Sequence, residues 1–137
     1  MTFEDLYQRA RAVVNPRRLS AEAESGGVGA ALLTDQGNVY VGVCIDTACS
    51  MGFCAEHAAA AAMVTAGESR VAKMVAVGWD GRVMPPCGRC REFIRQLDDA
   101  NRRALVMVSR GTVVALGELL PWDWRAAPAE GEGLPAE

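Results

Sequence analysis

Three cysteines set in two short motifs constrain the fold of this chain more than any other feature. Cys54 opens the segment Cys-Ala-Glu, and Cys87 and Cys90 lie in the segment Pro-Cys-Gly-Arg-Cys. For the three thiolates to bind one metal ion, the fold has to bring these distant segments together. Three protein ligands leave one position of a tetrahedral zinc ion open, as in catalytic sites, whereas structural zinc sites close with four ligands. The motifs therefore predict a catalytic site with one Zn²⁺ per chain.

Glu56 completes the first motif, two residues after Cys54. A carboxylate at this place reaches a water molecule at the open position without binding the metal, as general acid and base catalysis requires. A Cys-x-x-Cys pair alone also suits a redox dithiol or half of a structural zinc knuckle. Cys44 and Cys49 lack knuckle spacing, so we interpret them as buried or loop thiols. A non-catalytic zinc or redox module remains the alternative from a different class.

Length and composition indicate a small enzyme. The 137 residues, half of them hydrophobic, suffice for one domain, which we assign to residues 1–125. Residues 126–137 are Ala, Pro, Gly and Glu with one Leu, which predicts a disordered tail. The net charge of −3 gives no basic surface for nucleic acid. The first residues are acidic and mixed, and no apolar stretch approaches the roughly 18 residues of a membrane span. We therefore expect a cytoplasmic protein with no membrane partner, whose five cysteines are not disulfides.

Hydrophobic periodicity and turn residues predict the order of elements. Thr2 and Asp5 form a capping box for a first helix that ends before Pro16, and residues 15–26 form a linker. The last two strands are joined by so short a connection that they must pair antiparallel. The predicted strands are 28–33, 39–45, 71–79, 104–108 and 112–115; the predicted helices are 55–66 with Gly67 as C-cap, one beginning near 87 or 88 with an apolar face reaching 97, and a short one at 117–120.

Both halves of the metal motif fall at helix N-termini in this layout. Three thiolates around Zn²⁺ leave a net charge of about −1, and the free N–H groups and dipoles of two helix N-termini offset it. The same groups lower the pKa of a cysteine. His57, Arg89 and Arg91 are further candidates to donate hydrogen bonds to the sulfurs.

From Gly27 to about Trp124 the chain resembles the cytidine deaminases. The resemblance is carried by four blocks in the order of that family: Val28-Gly-Ala-Ala-Leu-Leu33, Cys54-Ala-Glu56, Pro86-Cys-Gly-Arg-Cys-Arg91 and Leu119-Leu-Pro121. A first ligand of Cys, where other branches usually have His, points to the small nucleoside-deaminase branch. The resemblance implies a three-layer α/β/α fold with a five-stranded mixed sheet, and a homotetramer whose active sites are completed by neighbouring subunits.

The resemblance also implies an activity: zinc-dependent hydrolytic deamination of cytidine, deoxycytidine or a close analogue to the uracil form, with release of ammonia, in pyrimidine salvage. It implies that the backbones of Ala55 and Pro86 contact the base. Trp124, beside Trp122, takes the place of an aromatic residue that approaches the base from a neighbouring subunit. His57 replaces an Arg that hydrogen-bonds the ligand thiolates in many relatives.

The chain departs from the family on the sugar side of the pocket. An Asn and a Glu typically hold the ribose, and their places are taken by Cys44 and Asp46. The aromatic residue that usually precedes the Val-Gly-Ala-Ala block is missing, with Gly26 and Gly27 there instead. Blasticidin S deaminases likewise lack that Asn and that aromatic residue, and they share the Cys-Arg-Glu that begins at Cys90. They are the alternative within the family, and the sequence leaves the nucleoside open.

Overall fold

A computed structural model describes residues 1–126 and has a mixed β-sheet between helices. Over these residues the helices are α1 (Phe3–Val13), α2 (Ala55–Thr65) and α3 (Gly88–Leu97), and the strands are β1 (Arg17–Arg18), β2 (Ala23–Thr34), β3 (Val39–Thr47), β4 (Val71–Gly78), β5 (Leu105–Ser109) and β6 (Thr112–Ala115). Short 3-10 segments are Ala48–Ser50, Asp99–Arg103, Leu116–Leu119 and Trp124–Ala126.

The sheet has the order β3-β2-β4-β5-β6, with β1 beside the first residues of β2. Only β4 and β5 pair in parallel within the described residues, and α3 lies in the connection between them. Alternate residues of a strand point to opposite faces, so Ala30 and Leu32 pack with α2 and α3, while Ala31 and Leu33 pack with α1. The predicted three-layer α/β/α architecture is confirmed.

Local signals set the helix ends as the sequence predicts. The Thr2 hydroxyl accepts from the Asp5 N–H at 3.1 Å, and the Asp5 carboxylate accepts from the Thr2 N–H at 3.0 Å, which completes the capping box. At the end of α2, Gly67 has φ +93° and its N–H donates to Val64, while the next N–H donates to Met63. This is a Schellman motif, which satisfies carbonyls that the helix leaves unpaired.

The sheet has six strands where five were predicted, and the expected linker at 15–26 is wrong in part. β1 forms inside it, and β2 begins at Ala23 and pairs with β3 as far as Thr47. β2 stays paired with β3 along this length because the pairing register shifts between Ser25 and Gly29, at a bulge where Gly26 adopts φ +82°. A glycine in the left-handed region allows a bulge that other residues resist. The other predicted elements agree to within two residues, the last helix being the 3-10 turn at Leu116.

An ion pair between Asp123 and Arg95 of α3 holds the segment after Pro121 against that helix. The Asp123 side chain is fully buried and pairs with Arg95 at 3.1 Å and with Arg102. The predicted disordered tail begins at Ala126, which closes a 3-10 segment, and its remaining residues lie outside the described range. No helix within residues 1–126 is both long and apolar enough to cross a membrane.

Candidate active site

Two helix N-termini bring the three thiols together. Cys54 is the N-cap of α2, Cys87 is the N-cap of α3, and Cys90 lies in the first turn of α3. Neither N-cap side chain makes a capping hydrogen bond, so neither sulfur is occupied by its own helix. The Sγ atoms of Cys54 and Cys87 are 3.4 Å apart, and those of Cys87 and Cys90 are 3.5 Å apart.

This donor set fits zinc. With Zn–S bonds of about 2.3 Å, a tetrahedral ion separates two ligand sulfurs by about 3.8 Å. All three sulfurs lie within 4.8 Å of one another, so small movements give that spacing. Thiolates are ligands that zinc prefers, and three of them leave one coordination position for another molecule. The cluster is therefore suited to one zinc ion with an open position.

Without a metal ion, their surroundings favour the protonated thiols of Cys54 and Cys90; a bound cation would favour the thiolates instead. Burial, then the hydrogen bond with Cys87, raises the pKa of Cys54 to about 11. Burial, then the charge of Glu56, raises the pKa of Cys90. Burial acts in the same direction on Cys87, but hydrogen bonds from the Cys90 backbone and the neighbouring thiols outweigh it and its pKa is lowered. Metal binding favours the thiolate forms and releases protons.

Glu56 lies in the first turn of α2 and is only 5% exposed. Its Oε2 accepts from the Cys90 thiol at 3.5 Å. Burial, opposed by the hydrogen bonds from its own backbone N–H and from Cys90, raises the pKa of the carboxyl group. A carboxylate held against the thiol cluster is within reach of a molecule bound there.

His57 contacts a ligand sulfur, whereas the two arginine side chains do not. The Nδ1 atom of His57 lies 3.2 Å from the Cys90 sulfur, and its ring stacks on Phe93 at 4.2 Å. Burial, then the charge of Arg89, lowers the pKa of His57. The Arg91 guanidinium instead donates to two backbone carbonyls, those of Pro86 at 2.8 Å and of Leu119 at 3.1 Å. Arg91 thereby holds the buried Pro86 in place before α3.

A cavity of about 430 Å³ opens beside the thiol cluster. The Cys44 sulfur accepts from the Val28 N–H at 3.3 Å, and its thiol lies 4.0 Å from the Asp46 carboxylate. The structure thus brings these two residues to one cavity with Cys54. The residues lining it are Val28, Cys44, Asp46, Thr47, Ser50, Gly52, Phe53, Cys54, Ala55 and Arg89.

Trp124 does not line this cavity. Its side chain is 76% exposed, and its backbone N–H donates to Glu92 at 2.7 Å. Trp122 is 83% exposed. Both side chains are therefore exposed and lie outside the lining of this cavity.

The segment from Thr47 to Phe53 is a wall of the cavity that the sequence did not indicate. Cys49 and Ser50 both have positive φ, at 60° and 55°. Gly52 passes so close to β3 that a Cβ atom there would lie 2.0 Å from the Ile45 oxygen, and Phe53 pairs with Ile45 by two backbone hydrogen bonds. Gly52 before an aromatic residue was the available signal for a close backbone approach.

Gly26 explains the absent aromatic residue. A Cβ atom at this position would lie 2.1 Å from the Asn15 carbonyl oxygen, and Asn15 N–H donates to the Gly26 carbonyl at 2.9 Å. Gly27 has no such neighbour within 4 Å of a Cβ atom. An aromatic side chain cannot occupy position 26 on this backbone path.

Three converging thiols and an adjoining carboxylate are the groups that a zinc-dependent hydrolase needs. The chain belongs to the family described as "Cytidine and deoxycytidylate deaminase zinc-binding region", whose model matches residues 4–107. Membership makes the chain a zinc-dependent aminohydrolase, and the alternative of a non-catalytic zinc or redox module is not supported.

Known cytidine deaminases resemble the chain over most of its length. That of Halalkalibacterium halodurans is 35% identical over 103 residues, which cover 72% of this chain and 77% of that protein. The crystal structure of cytidine deaminase from Mycobacterium tuberculosis superposes with a TM-score of 0.76 at 28% identity, covering 90% of this chain and 98% of that one. The enzyme from Burkholderia pseudomallei gives 0.74 at 28% identity, covering 90% and 100%.

Proposed function

We propose that the chain deaminates a cytosine nucleoside, cytidine or deoxycytidine or a close analogue, to the uracil form. The observation that carries this proposal is the single cavity lined by Cys54 and Ala55, next to the buried Glu56, and also by Asp46. The cavity thus adjoins the groups for water activation and has in its lining a carboxylate for sugar hydroxyls. Membership in the deaminase family supports the same reaction.

Cys54, Cys87 and Cys90 hold the zinc ion in this proposal. When bound, zinc supplies a water molecule acidic enough to act as a nucleophile at neutral pH. Glu56 accepts a proton from the attacking water and delivers it to the ring nitrogen beside the attacked carbon. A C–O bond forms at that carbon, its C–N bond breaks, and Glu56 passes the second proton of the water to the leaving ammonia. His57, through the Cys90 sulfur, and Arg91, through the Pro86 carbonyl, hold the ligand-bearing segments in place around this centre, and Arg89 lies exposed beside them.

The base and the sugar are held by different parts of the cavity. We assign base contacts to the backbones of Ala55, at the N-terminus of α2, and of Pro86, which Arg91 holds by its carbonyl. We assign the sugar hydroxyls to Asp46, with Cys44 beside it. A thiol is a weaker hydrogen-bonding group than an amide, so sugar binding depends chiefly on Asp46.

A deaminase of nucleoside analogues of the blasticidin S type is the second candidate. The left-handed Gly26 favours it, because this backbone excludes an aromatic residue at position 26, a departure that the chain shares with the blasticidin S deaminases by resemblance. The chemistry is the same for both candidates, and only the sugar end of the substrate differs.

The wider setting is also proposed. A homotetramer would put the exposed Trp124 of one subunit near the active site of another. All five cysteines are free, which suits a reducing compartment such as the cytoplasm. We assign one deaminase domain to residues 1–125, acting on a small nucleoside and not on nucleic acid.

An ultraviolet absorbance assay tests the function. The panel contains cytidine, deoxycytidine, cytosine, blasticidin S and aminated purine nucleosides. Glu56→Gln keeps the shape of the side chain and the zinc ligands but loses the proton carrier, so we expect zinc content near one per chain and turnover lower by at least about 10³-fold. Glu4→Gln, an exposed glutamate on α1, is the matched control and keeps full activity. A fully active Glu56→Gln enzyme would contradict the assignment.

A further inference from the structure

Cys44 lies where the pairing of β2 with β3 is interrupted. The register shifts between Ser25 and Gly29, and a single residue of β3, Cys44, lies across from residues 26–28 of β2. A β-bulge of this kind bends the strand and breaks the regular ladder of backbone hydrogen bonds. The side chain of Cys44 is only 9% exposed and packs with the core on the α2 side of the sheet. It is therefore placed to replace contacts that the ladder loses at the bulge.

The Cys44 sulfur replaces one of these contacts. It accepts a hydrogen bond from the Val28 N–H at 3.3 Å, so this N–H points towards β3 but has a side chain, and not a carbonyl, as its partner. Buried N–H groups without a partner are unfavourable, and nearly all of them are satisfied. Because Val28 lines the cavity, the thiol holds a part of the cavity wall as well as the bulge.

The same thiol reaches the Asp46 carboxylate. Residues two apart in a strand point to the same face, and the Cys44 thiol donates to Asp46 Oδ2 at 4.0 Å, a long contact from a weak donor. Both residues line the cavity that Cys54 and Ala55 also line. Within residues 1–126 the exposed Asp46 carboxylate belongs to no ion pair. The thiol is therefore the side-chain contact that favours one orientation of this carboxylate.

These two contacts use the hydrogen-bonding capacity of Cys44. A thiol has one S–H to donate and is a weak acceptor, and here it donates to Asp46 and accepts from Val28. The small part of the side chain that is exposed offers a bound molecule no further donor. A carboxylate that is already oriented loses less conformational freedom when it binds a ligand. The contribution of Cys44 to binding is thus indirect, through Asp46.

We propose that Cys44 is a positioning residue that orients Asp46 towards the sugar of the bound nucleoside and makes no hydrogen bond to the sugar itself. The proposal rests on the proposed function, which assigns the sugar hydroxyls to Asp46. It makes a specific prediction about substrates. The Cys44 thiol affects turnover only when Asp46 is present, and only when the substrate has the hydroxyl group that Asp46 binds.

Four substrates identify that hydroxyl group: cytidine, 2′-deoxycytidine, 3′-deoxycytidine and 5′-deoxycytidine. For each, kcat/KM is measured with the zinc-loaded protein, unaltered and as Asp46→Ala. Discrimination is the ratio of kcat/KM for cytidine to kcat/KM for a deoxy substrate. We expect at least one ratio to be about tenfold in the unaltered protein and to fall close to one in Asp46→Ala. The substrate that shows this behaviour lacks the hydroxyl group that Asp46 binds.

Replacing Cys44 then tests the positioning role. Cys44→Ala should lower that ratio about threefold, through a higher KM for cytidine, while kcat/KM for the deoxy substrate is unchanged. Combined with Asp46→Ala it should have no further effect, because the group that it orients is gone. Cys44→Ser keeps a donor and an acceptor on the same carbon atom and should restore most of the ratio. The matched control is Val39→Ala, which truncates an apolar residue at the other end of β3 and leaves the ratio unchanged.

The outcomes separate this proposal from the one on which it rests. An equal fall in kcat/KM for all four substrates in Cys44→Ala would show a structural role alone and overturn the proposal. Discrimination that persists in Asp46→Ala and disappears only when Cys44 is also replaced would show that Cys44 binds the sugar directly, which overturns it too. Ratios that Asp46→Ala leaves unchanged refute the positioning role together with the sugar contact of Asp46, but not the deaminase reaction. Failure of the unaltered zinc-loaded protein to deaminate any cytosine nucleoside overturns both proposals.

Discussion

Replacing Gly26 with alanine tests whether the bulge in β2 depends on this residue. With φ at +82°, a side chain here costs about 1–2 kcal/mol from the left-handed conformation alone. The new Cβ atom would also lie 2.1 Å from the Asn15 oxygen and 2.6 Å from its carbonyl carbon. These are backbone atoms, so relief requires a shift that weakens the Asn15 to Gly26 hydrogen bond, worth about 1 kcal/mol. We expect Gly26→Ala to lower the free energy of unfolding by about 3 kcal/mol.

Two other glycines separate the contributions. Gly37 has φ +85° with nothing within 4 Å of a Cβ atom, so Gly37→Ala should show only the conformational cost, about 1–2 kcal/mol. Gly27 has neither a positive φ nor a close neighbour. Gly27→Ala should raise the free energy of unfolding by about 0.5 kcal/mol, because alanine restricts the unfolded chain.

Urea unfolding of the three zinc-loaded variants, followed by far-ultraviolet circular dichroism, measures these differences as shifts in midpoint at a common m value. The expected order of stability is Gly27→Ala, then Gly37→Ala, then Gly26→Ala. A Gly26→Ala protein as stable as Gly37→Ala would show that the contact with Asn15 does not constrain the bulge. The explanation for the missing aromatic residue would then be wrong.

Three further substitutions test other parts of the structure. Cys87→Ser should lose tight zinc binding, whereas Cys49→Ser, outside the thiol cluster, should keep one zinc per chain by mass spectrometry; equal zinc contents would refute the ligand set. Asp123→Asn leaves the 2%-exposed Arg95 side chain without its buried carboxylate and should lower the free energy of unfolding in urea by about 3 kcal/mol. An unchanged midpoint would contradict the role of this ion pair in stability. Arg91→Lys keeps the charge but cannot donate to both the Pro86 and the Leu119 carbonyls, so kcat/KM should fall roughly tenfold while zinc is retained. An unchanged kcat/KM would show that these contacts do not position the site.

The two cysteine motifs and the helix ends were predictable because their signals are local. Cys54 and Cys87 sit at N-caps, and Thr2 pairs with Asp5 within one turn, so neighbouring residues determine each arrangement. The same holds for Gly67, whose left-handed conformation ends α2 within two residues of the last turn.

The features that escaped prediction depend on contacts between distant residues. The bulge at Gly26 is set by Asn15, and the cavity wall before Cys54 is set by the pairing of Phe53 with Ile45. A charged residue on a helix, such as Arg95, is expected to be exposed, but Arg95 is buried beside Asp123, which comes from the end of the domain. Such pairings follow from the assembled fold, and the glycines at positions 26 and 52 mark a close approach without identifying the distant partner.

The position of the thiols relative to β4 gives the metal a role in folding. Cys54 precedes this strand in the chain, Cys87 and Cys90 follow it, and β4 is the middle strand of the sheet. An ion held by all three is therefore a cross-link that encloses the centre of the sheet in a closed loop. By the chain-entropy relation used for disulfides, closing a loop of about 35 residues restricts the unfolded chain by about 4 kcal/mol. Removal of the zinc ion by a chelator therefore removes both the cross-link around β4 and the ion that activates water.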